Sequence, residues 1–139
     1  MGAQPGPFGR QEGAALSQYY ALGDRTLWNP SNGASRLFTN QVSLYEAELG
    51  LPSGIGPMQA DECRIDPLVF SAFVDALLAW HRGTRHAVVV SLSEGFVATV
   101  LVLADRAGVQ VTWPPAAPAE AWAAALRQKS RELGRAMAL

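Results

Sequence analysis

The most polar stretch of the sequence places carboxylates, a thiol and a guanidinium next to one another. Asp61, Glu62, Cys63 and Arg64 are consecutive, and Asp66 follows shortly after them. Carboxylates and thiolates bind divalent metals, and carboxylates also transfer protons, so this cluster could hold a metal or act as an acid–base pair. Alternate residues of an extended chain share a side. The pairs that could act together are therefore Asp61 with Cys63, or Glu62 with Arg64.

The same cluster has a purely structural interpretation, which we favour. Asp66 directly precedes Pro67, and an acidic residue followed by proline is typical of a helix start. Glu62 and Arg64 would then form a local ion pair. A metal site requires ligands that converge on one point, and this spacing is poor for that purpose. We therefore predict no metal ion and no cofactor.

A loop rich in glycine and proline comes immediately before the cluster. Gly54 and Gly56 permit backbone shapes that other residues avoid, and Pro52 and Pro57 stiffen the chain around them. The loop lacks the Lys-Ser/Thr pair of a phosphate-binding loop, so a rigid turn is the simpler interpretation. A rigid loop beside a helix start is nevertheless a plausible platform for a ligand or partner. We place the candidate site in residues 53–66.

Glu94 lies in the apolar stretch 87–104, where a charge is costly unless it is paired. An ion pair with Arg36, Arg64 or Arg82 is the favoured interpretation, and a carboxylate with a raised pKa is the functional alternative. The predicted binding residues are therefore the two loop glycines, three members of the polar cluster and this glutamate: Gly54, Gly56, Asp61, Glu62, Cys63 and Glu94. Replacing Asp61 or Glu62 with alanine is expected to abolish partner binding and to leave the fold stable.

The histidines are His81 and His86, and a spacing of five does not place them on one helical turn. His81 is interpreted as a helix-end residue whose imidazole suits the C-terminal dipole. Either histidine could pair with Cys63 as a nucleophilic thiolate, but no local signature accompanies that combination. A semi-buried structural thiol is the favoured interpretation of Cys63.

Apolar periodicity predicts the elements that must position these residues in the first half of the chain. Residues 19–28 predict a hairpin that turns at Gly23-Asp24. Residues 31–49 predict a helix that ends at Gly50, and residues 67–82 predict a second helix at the centre of the core. The apolar face of the first helix contains Phe38, Val42, Tyr45 and Leu49, with Leu37 and Leu44 beside them.

The second half of the chain is less regular. Residues 87–104 favour a helix over a hairpin that turns at Glu94-Gly95. Residues 109–113 alternate in polarity and predict a strand, and residues 119–137 predict a last helix whose Arg131 and Arg135 suit its negative end. The fold class is therefore α+β, with about four helices packed on a small antiparallel sheet of two or three strands. Residues 1–16 are expected to form a flexible tail, and residues 17–139 a single domain.

The composition limits the classes of function. The chain has 139 residues, of which 49% are hydrophobic, with a formal net charge of -1. Because the totals show no basic surplus, nucleic acid is not the expected partner. One cysteine and no apparent secretory leader favour the cytoplasm. The acid at Glu94 argues against a membrane span over residues 87–104, so no membrane partner is expected.

Several segments of the chain resemble a known family. They are LWNPSNG at 27–33, RLF at 36–38, GLPSGIGPM at 50–58, ADEC at 60–63 and EGF at 94–96. On these residues the chain resembles an uncharacterised actinobacterial family, the domain-of-unknown-function family 6086, over about residues 17–113. The resemblance implies a small cytoplasmic actinobacterial protein and brings no activity and no catalytic residue with it.

The expected function is that of a small non-enzymatic interaction protein whose partner is another protein. An immunity or antitoxin-like partner of a toxin is one concrete form, suggested by size and charge alone. The alternative is a small enzyme or ligand-binding protein with its site at residues 53–66. Convergence separates the two hypotheses, because a site requires that Asp61, Glu62, Cys63, Glu94 and His81 open into one pocket.

Overall fold

A computed structural model describes residues 18–115 and 120–139, and these residues form a three-stranded sheet and four helices. In chain order the elements are β1 (Tyr19–Leu22), β2 (Arg25–Trp28), α1 (Asn32–Leu49), β3 (Glu62–Arg64), α2 (Pro67–Gly83), α3 (Ala87–Ala107) and α4 (Ala121–Ala136). This arrangement confirms the predicted α+β class. The predicted tail at residues 1–16 lies outside the described residues.

The sheet has the strand order β2-β1-β3 and is mixed. β1 and β2 form the predicted antiparallel hairpin, and Gly23 occupies the turn with φ 58°. β3 was not predicted, and it pairs in parallel with β1 through Tyr20 and Cys63. The sheet is therefore not wholly antiparallel. The reason is connectivity: the turn after β1 reverses the chain in β2, and the connection through α1 reverses it again, so β3 runs in the same direction as β1.

α1 begins and ends as its sequence predicts. The Ser31 hydroxyl accepts a hydrogen bond from the Ala34 amide, and Gly50 ends the helix with φ 64°. The predicted apolar face is buried at Phe38, Val42 and Tyr45. Leu37 and Leu44 were assigned to the edge of this face, but they are 64% and 61% exposed. Each lies one residue before a buried position, which turns its side chain about 100° away from the core.

α2 is the centre of the core, as predicted. The Asp66 carboxylate accepts hydrogen bonds from the amides of Leu68 and Val69, which fixes the start of the helix. The side chains that follow are fully enclosed at five positions: Phe70, Phe73, Val74, Leu77 and Leu78. α1 and α3 pack against this helix.

α3 covers the ambiguous apolar stretch and confirms the helix over the hairpin. Among the described residues, it is the one helix long and apolar enough to cross a membrane by length and composition. Half of its most apolar window is buried inside the protein, and a core helix meets the same criterion. Its C-terminal half is buried, whereas Val88 and Leu92 near its start are 57% and 74% exposed.

The strand predicted at residues 109–113 is wrong, because this segment is irregular. Side chains of α2 satisfy its backbone: the Ser71 hydroxyl donates to the Gln110 carbonyl at 2.6 Å, and the Asp75 carboxylate accepts from the Thr112 amide at 2.7 Å. The alternation in polarity reflects burial alone, since residues 109, 111 and 113 are half-buried and residues 110 and 112 are exposed. The last predicted helix is confirmed as α4.

Candidate functional site

Gly54 of the predicted loop packs against the start of α2. It has φ 77°, and a Cβ atom there would lie 2.6 Å from the Phe70 amide nitrogen and 2.7 Å from the Asp66 carbonyl oxygen. The Gly54 carbonyl also accepts a hydrogen bond from the Asp66 amide at 2.7 Å. Backbone packing alone therefore requires glycine at this position.

A carboxylate of α1 holds the beginning of the same loop. Ser53 is buried, and its amide and hydroxyl both donate to Glu46 Oε2, at 2.9 Å and 2.6 Å. The Ser53 hydroxyl in turn accepts from the Ile55 amide at 3.0 Å. Glu46 could not be predicted from the sequence, because nothing in the spacing connects a helix residue to a loop seven positions later.

Cys63 is a structural thiol. It is fully buried in β3, and its Sγ–H donates to the Gly56 carbonyl at 2.9 Å, while the Gly56 amide donates to the Arg64 carbonyl. Burial raises the pKa of the Cys63 thiol to about 11. The thiolate is the form that attacks electrophiles and binds metals, and near neutral pH the buried Cys63 is in the thiol form. This agrees with the structural interpretation of its sequence.

The two acidic residues of the cluster have separate structural roles. Asp61 is exposed with φ 63°, and its carbonyl accepts from the Tyr19 amide at 2.9 Å, which joins the loop to β1. Glu62 forms the predicted ion pair with Arg64 at 3.0 Å, with side chains 40% and 67% exposed. No group of histidine, cysteine, aspartate or glutamate side chains within residues 18–115 and 120–139 is arranged to hold a metal.

Glu94 does not form the ion pair predicted from the sequence. It lies half-buried on α3, four residues before the buried Ala98. Two of its expected partners are engaged elsewhere, since Arg64 pairs with Glu62 and Arg82 pairs with Glu120 at 2.8 Å. Glu94 lies on a different element from the loop residues with which it was predicted to form a site.

His81 lies in the last turn of α2, as the sequence predicted, and its ring also joins this helix to two others. Its ring is 2% exposed, Nδ1 accepts from the Trp122 indole N–H at 2.9 Å, and Nε2 lies 3.4 Å from the Val90 carbonyl oxygen. An indole only donates and a carbonyl only accepts, so the proton of a neutral imidazole is on Nε2. Burial lowers the pKa of His81, and the neutral form ties α2 to α3 and α4.

The sequence-predicted groups are thus distributed over separate parts of the fold. Gly54, Gly56 and Cys63 pack the loop against α2 and β3. Glu62 is paired at the sheet edge, and Glu94 lies on α3. Of the six predicted binding residues, Gly56 alone borders one of the two cavities described below, while Asp61 is exposed and Glu94 is half-buried.

A groove of about 700 Å³ lies between the C-terminal half of α3, the irregular segment 109–113 and α4. We call it the arginine groove. Its apolar floor consists of Leu101, Val102, Val109, Val111 and Trp113. A Cβ atom at Gly134 of α4 would lie 3.9 Å from the methyl groups of Val102, which is ordinary van der Waals contact.

Arg106, Arg127, Arg131 and Arg135 line the groove with one acid, Asp105. Arg106 is structural: its guanidinium donates to the carbonyls of Leu27, Gly134 and Met137 at 2.9–3.0 Å.

Arg127, Arg131 and Arg135 share one face of α4. The Arg127 guanidinium lies 5.4 Å from the centre of the Trp113 ring, in cation–π geometry. Arg131 donates to the Gln128 side chain at 2.6 Å, and both Arg131 and Arg135 are exposed. Like charges spaced four residues apart repel one another on a helix. The helix dipole favours cations at the end of α4, but it does not account for a row that begins at Arg127.

The model of a family of unknown function, DUF6086, matches residues 16–139. The chain belongs to this family. The match includes residues 17–113, over which the chain was seen to resemble this family. It also extends through α4, so it covers the arginine groove of this DUF6086 protein. No curated protein and no solved structure matches the chain.

A second, smaller cavity of about 410 Å³ lies between α1 and the loop of this DUF6086 protein. Its polar lining comes from Thr39, Ser43 and Glu46, and of the predicted site residues Gly56 alone borders it. The carboxylate of Glu46 is already bonded to Ser53. This cavity therefore offers hydroxyl groups but little free charge to a ligand.

The arginine groove was missed because its parts are far apart in sequence and had separate explanations. The arginines at the end of α4 were assigned to the helix dipole, and residues 109–113 were assigned to a strand. The available signal was the spacing of Arg127, Arg131 and Arg135 by four residues in a predicted helix. That spacing places three cations on one face, but it does not reveal the apolar floor that they face.

Proposed function

We propose that this DUF6086 protein is a small non-enzymatic interaction protein that binds another protein. The observation that carries the proposal is the dispersal of its reactive groups. Cys63 is buried and bonded to Gly56, the neutral His81 is bonded to Trp122, and Glu62 is paired with Arg64. A catalytic site needs a nucleophile or base within hydrogen-bonding reach of its partner groups, and the described residues bring no such pair together in a pocket.

The rival function, a ligand site at residues 53–66, receives less support from the geometry. The polar groups of this loop bond to α1, β1 and α2 within the protein. The cavity beside it borders one of the predicted residues, Gly56. The loop is therefore well suited to hold the fold together, whereas the arginine groove leaves charged side chains facing solvent.

We also propose a cytoplasmic location and an actinobacterial source. A single cysteine whose thiol is free and buried suits a reducing compartment. Arginine outnumbers lysine strongly, since Lys129 is the one lysine in the chain. Together with abundant alanine, glycine and proline, this bias is typical of a GC-rich genome.

The proposal is tested by isolating the tagged full-length chain from its native host and identifying the proteins that copurify. Each candidate is then purified separately and mixed with the chain in a calorimeter. We expect one partner to bind with a defined stoichiometry, and a toxin as that partner would support the immunity or antitoxin form. Native mass spectrometry of the isolated chain tests the rival function. If the chain retains a small molecule and no purified protein binds it, the ligand-binding function is supported.

A further inference from the structure

The arginine groove combines exposed cations with an apolar floor. Arg131 and Arg135 are exposed, whereas Val109, Val111 and Trp113 beside them are half-buried. An apolar floor alone would bind many hydrophobic segments, and a charged rim alone would bind many anions. Their combination selects an occupant that carries negative charge and an apolar group within the same short segment.

The spacing of the arginines indicates an extended occupant. Residues four apart on a helix rise about 6 Å along its axis, so the row from Arg127 to Arg135 extends over about 12 Å. The cations therefore do not converge on one point, which disfavours a single free phosphate or carboxylate. Alternate side chains of an extended peptide lie about 6.6 Å apart on one side, so acidic residues two positions apart match the interval between neighbouring arginines.

The charge distribution favours a short acidic segment over a long polyanion. Four arginines and one aspartate give the groove a formal charge of +3, which leaves -4 for the remainder of a chain whose net charge is -1. A nucleic acid that extended beyond the groove would meet this acidic remainder and be repelled. A short segment would contact the groove alone.

The aromatic side of the groove is held by contacts within the protein. The Trp113 ring packs edge-on against Trp122, with ring centres 5.7 Å apart, and Arg127 lies over its face. Trp122 is in turn fixed by its hydrogen bond to His81. A preformed apolar wall lowers the entropy lost on binding, because these side chains need not be immobilised by the partner.

We propose that the arginine groove binds an acidic peptide segment of the partner protein, with carboxylates at alternate positions facing Arg131 and Arg135. An apolar side chain of that segment packs on Val111 and Trp113. This inference rests on the proposed function, because it assigns the chemistry of the partner's contact segment. Bidentate arginine–carboxylate pairs supply the orientation, and the apolar contact supplies much of the affinity.

The test uses the full chain and a fluorescein-labelled peptide in which glutamate alternates with leucine, with binding followed by fluorescence anisotropy. We expect the double variant Arg131→Ala/Arg135→Ala to weaken binding at least tenfold. The matched control is Arg36→Ala/Arg85→Ala, which removes two exposed arginines outside the groove and should bind like the parent chain. Peptides with glutamine in place of glutamate, or glycine in place of leucine, should each bind at least tenfold more weakly.

The proposal would be overturned if the glutamate–leucine peptide did not bind, or if the two double variants lost peptide affinity equally. It would also be overturned if single-stranded RNA, dodecanoate or inorganic phosphate bound the groove more tightly than the peptide does. Different outcomes decide whether the groove assignment or the proposed interaction function is wrong. If the reconstituted partner binds Arg131→Ala/Arg135→Ala as well as it binds the parent, the groove assignment is wrong and the interaction function stands. If the peptide binds but no protein partner reconstitutes, the interaction function is wrong.

Discussion

The loop over residues 51–66 and the arginine groove differ in where their polar groups find hydrogen-bond partners. In the loop, Ser53 bonds to Glu46, Cys63 bonds to Gly56, and Glu62 pairs with its neighbour Arg64. In the groove, Arg131 and Arg135 lie exposed beside an apolar floor. Chemically interesting residues that are close in sequence can thus form scaffold, while a binding surface is assembled from distant segments.

The largest effect that would test this comparison is expected at Gly54. Gly54→Ala forces a side chain into a residue with φ 77° and places its Cβ against backbone atoms of Asp66 and Phe70. We expect the free energy of unfolding to fall by roughly 3 kcal/mol, from backbone strain and overpacking together. Chemical denaturation of the purified variant measures this change.

Gly95→Ala is the matched control, because a Cβ atom at Gly95 meets nothing within 4 Å. In the middle of α3 that substitution should stabilise the protein by about 0.5–1 kcal/mol. If the two glycine variants unfold alike, the loop is not scaffold, and its glycines would again be candidates for a binding role.

The next largest effect distinguishes the structural arginine of the groove from an exposed arginine on α4. Arg106→Ala removes a guanidinium that donates to three carbonyls, on Leu27, Gly134 and Met137. We expect a loss of about 2 kcal/mol in stability, because these acceptors lose charge-assisted hydrogen bonds. Arg135→Ala should change stability by less than about 0.5 kcal/mol. Comparable losses in both variants would mean that the row on α4 is structural.

A pH-dependent effect tests whether α4 is held in place by a neutral histidine. Burial lowers the pKa of His81 below 6.5. As the pH falls through 6.5, the unfolded chain takes up a proton on this histidine before the folded chain does. Stability should therefore decrease by up to about 1.4 kcal/mol per pH unit until the folded pKa is reached.

Urea denaturation of His81→Gln and His86→Gln at several pH values resolves this contribution. His81→Gln should flatten the decrease in stability below pH 6.5, whereas His86→Gln, which alters an exposed residue, should retain it. An unchanged slope in His81→Gln would show that the histidine is not the proton-linked group, and the anchoring of α4 would need another explanation.

A small effect on stability is expected at Glu62. Its ion pair with Arg64 is largely exposed, so Glu62→Ala should cost less than about 1 kcal/mol. The groove assignment predicts that Glu62→Ala and Asp61→Ala leave partner binding unchanged, whereas the sequence alone predicted that they abolish it. Calorimetry with the reconstituted partner decides between these expectations, and loss of binding in the loop variants alone would reverse the roles of the two regions.

The elements that sequence predicted well are those specified by local signals. Asp66-Pro67 identified the start of α2, and Gly50 identified the end of α1. Non-local arrangements were missed: β3 pairs with a strand far earlier in the chain, and residues 109–113 bond to α2. The ion pair of Glu62 is local and was predicted, whereas the His81–Trp122 hydrogen bond and the arginine groove depend on tertiary packing.

The parallel pairing of β3 with β1 also constrains how the chain folds. Tyr20 and Cys63 are more than forty residues apart, so their pairing closes a long loop, whereas the β1–β2 hairpin closes a short one. Loop closure costs more entropy as the loop lengthens, and non-local pairing slows folding. The hairpin and α1 can therefore form early, and the sheet is completed only when the 51–66 loop docks on α2. Amide protons of β3 should accordingly gain protection from solvent exchange later than those of the hairpin.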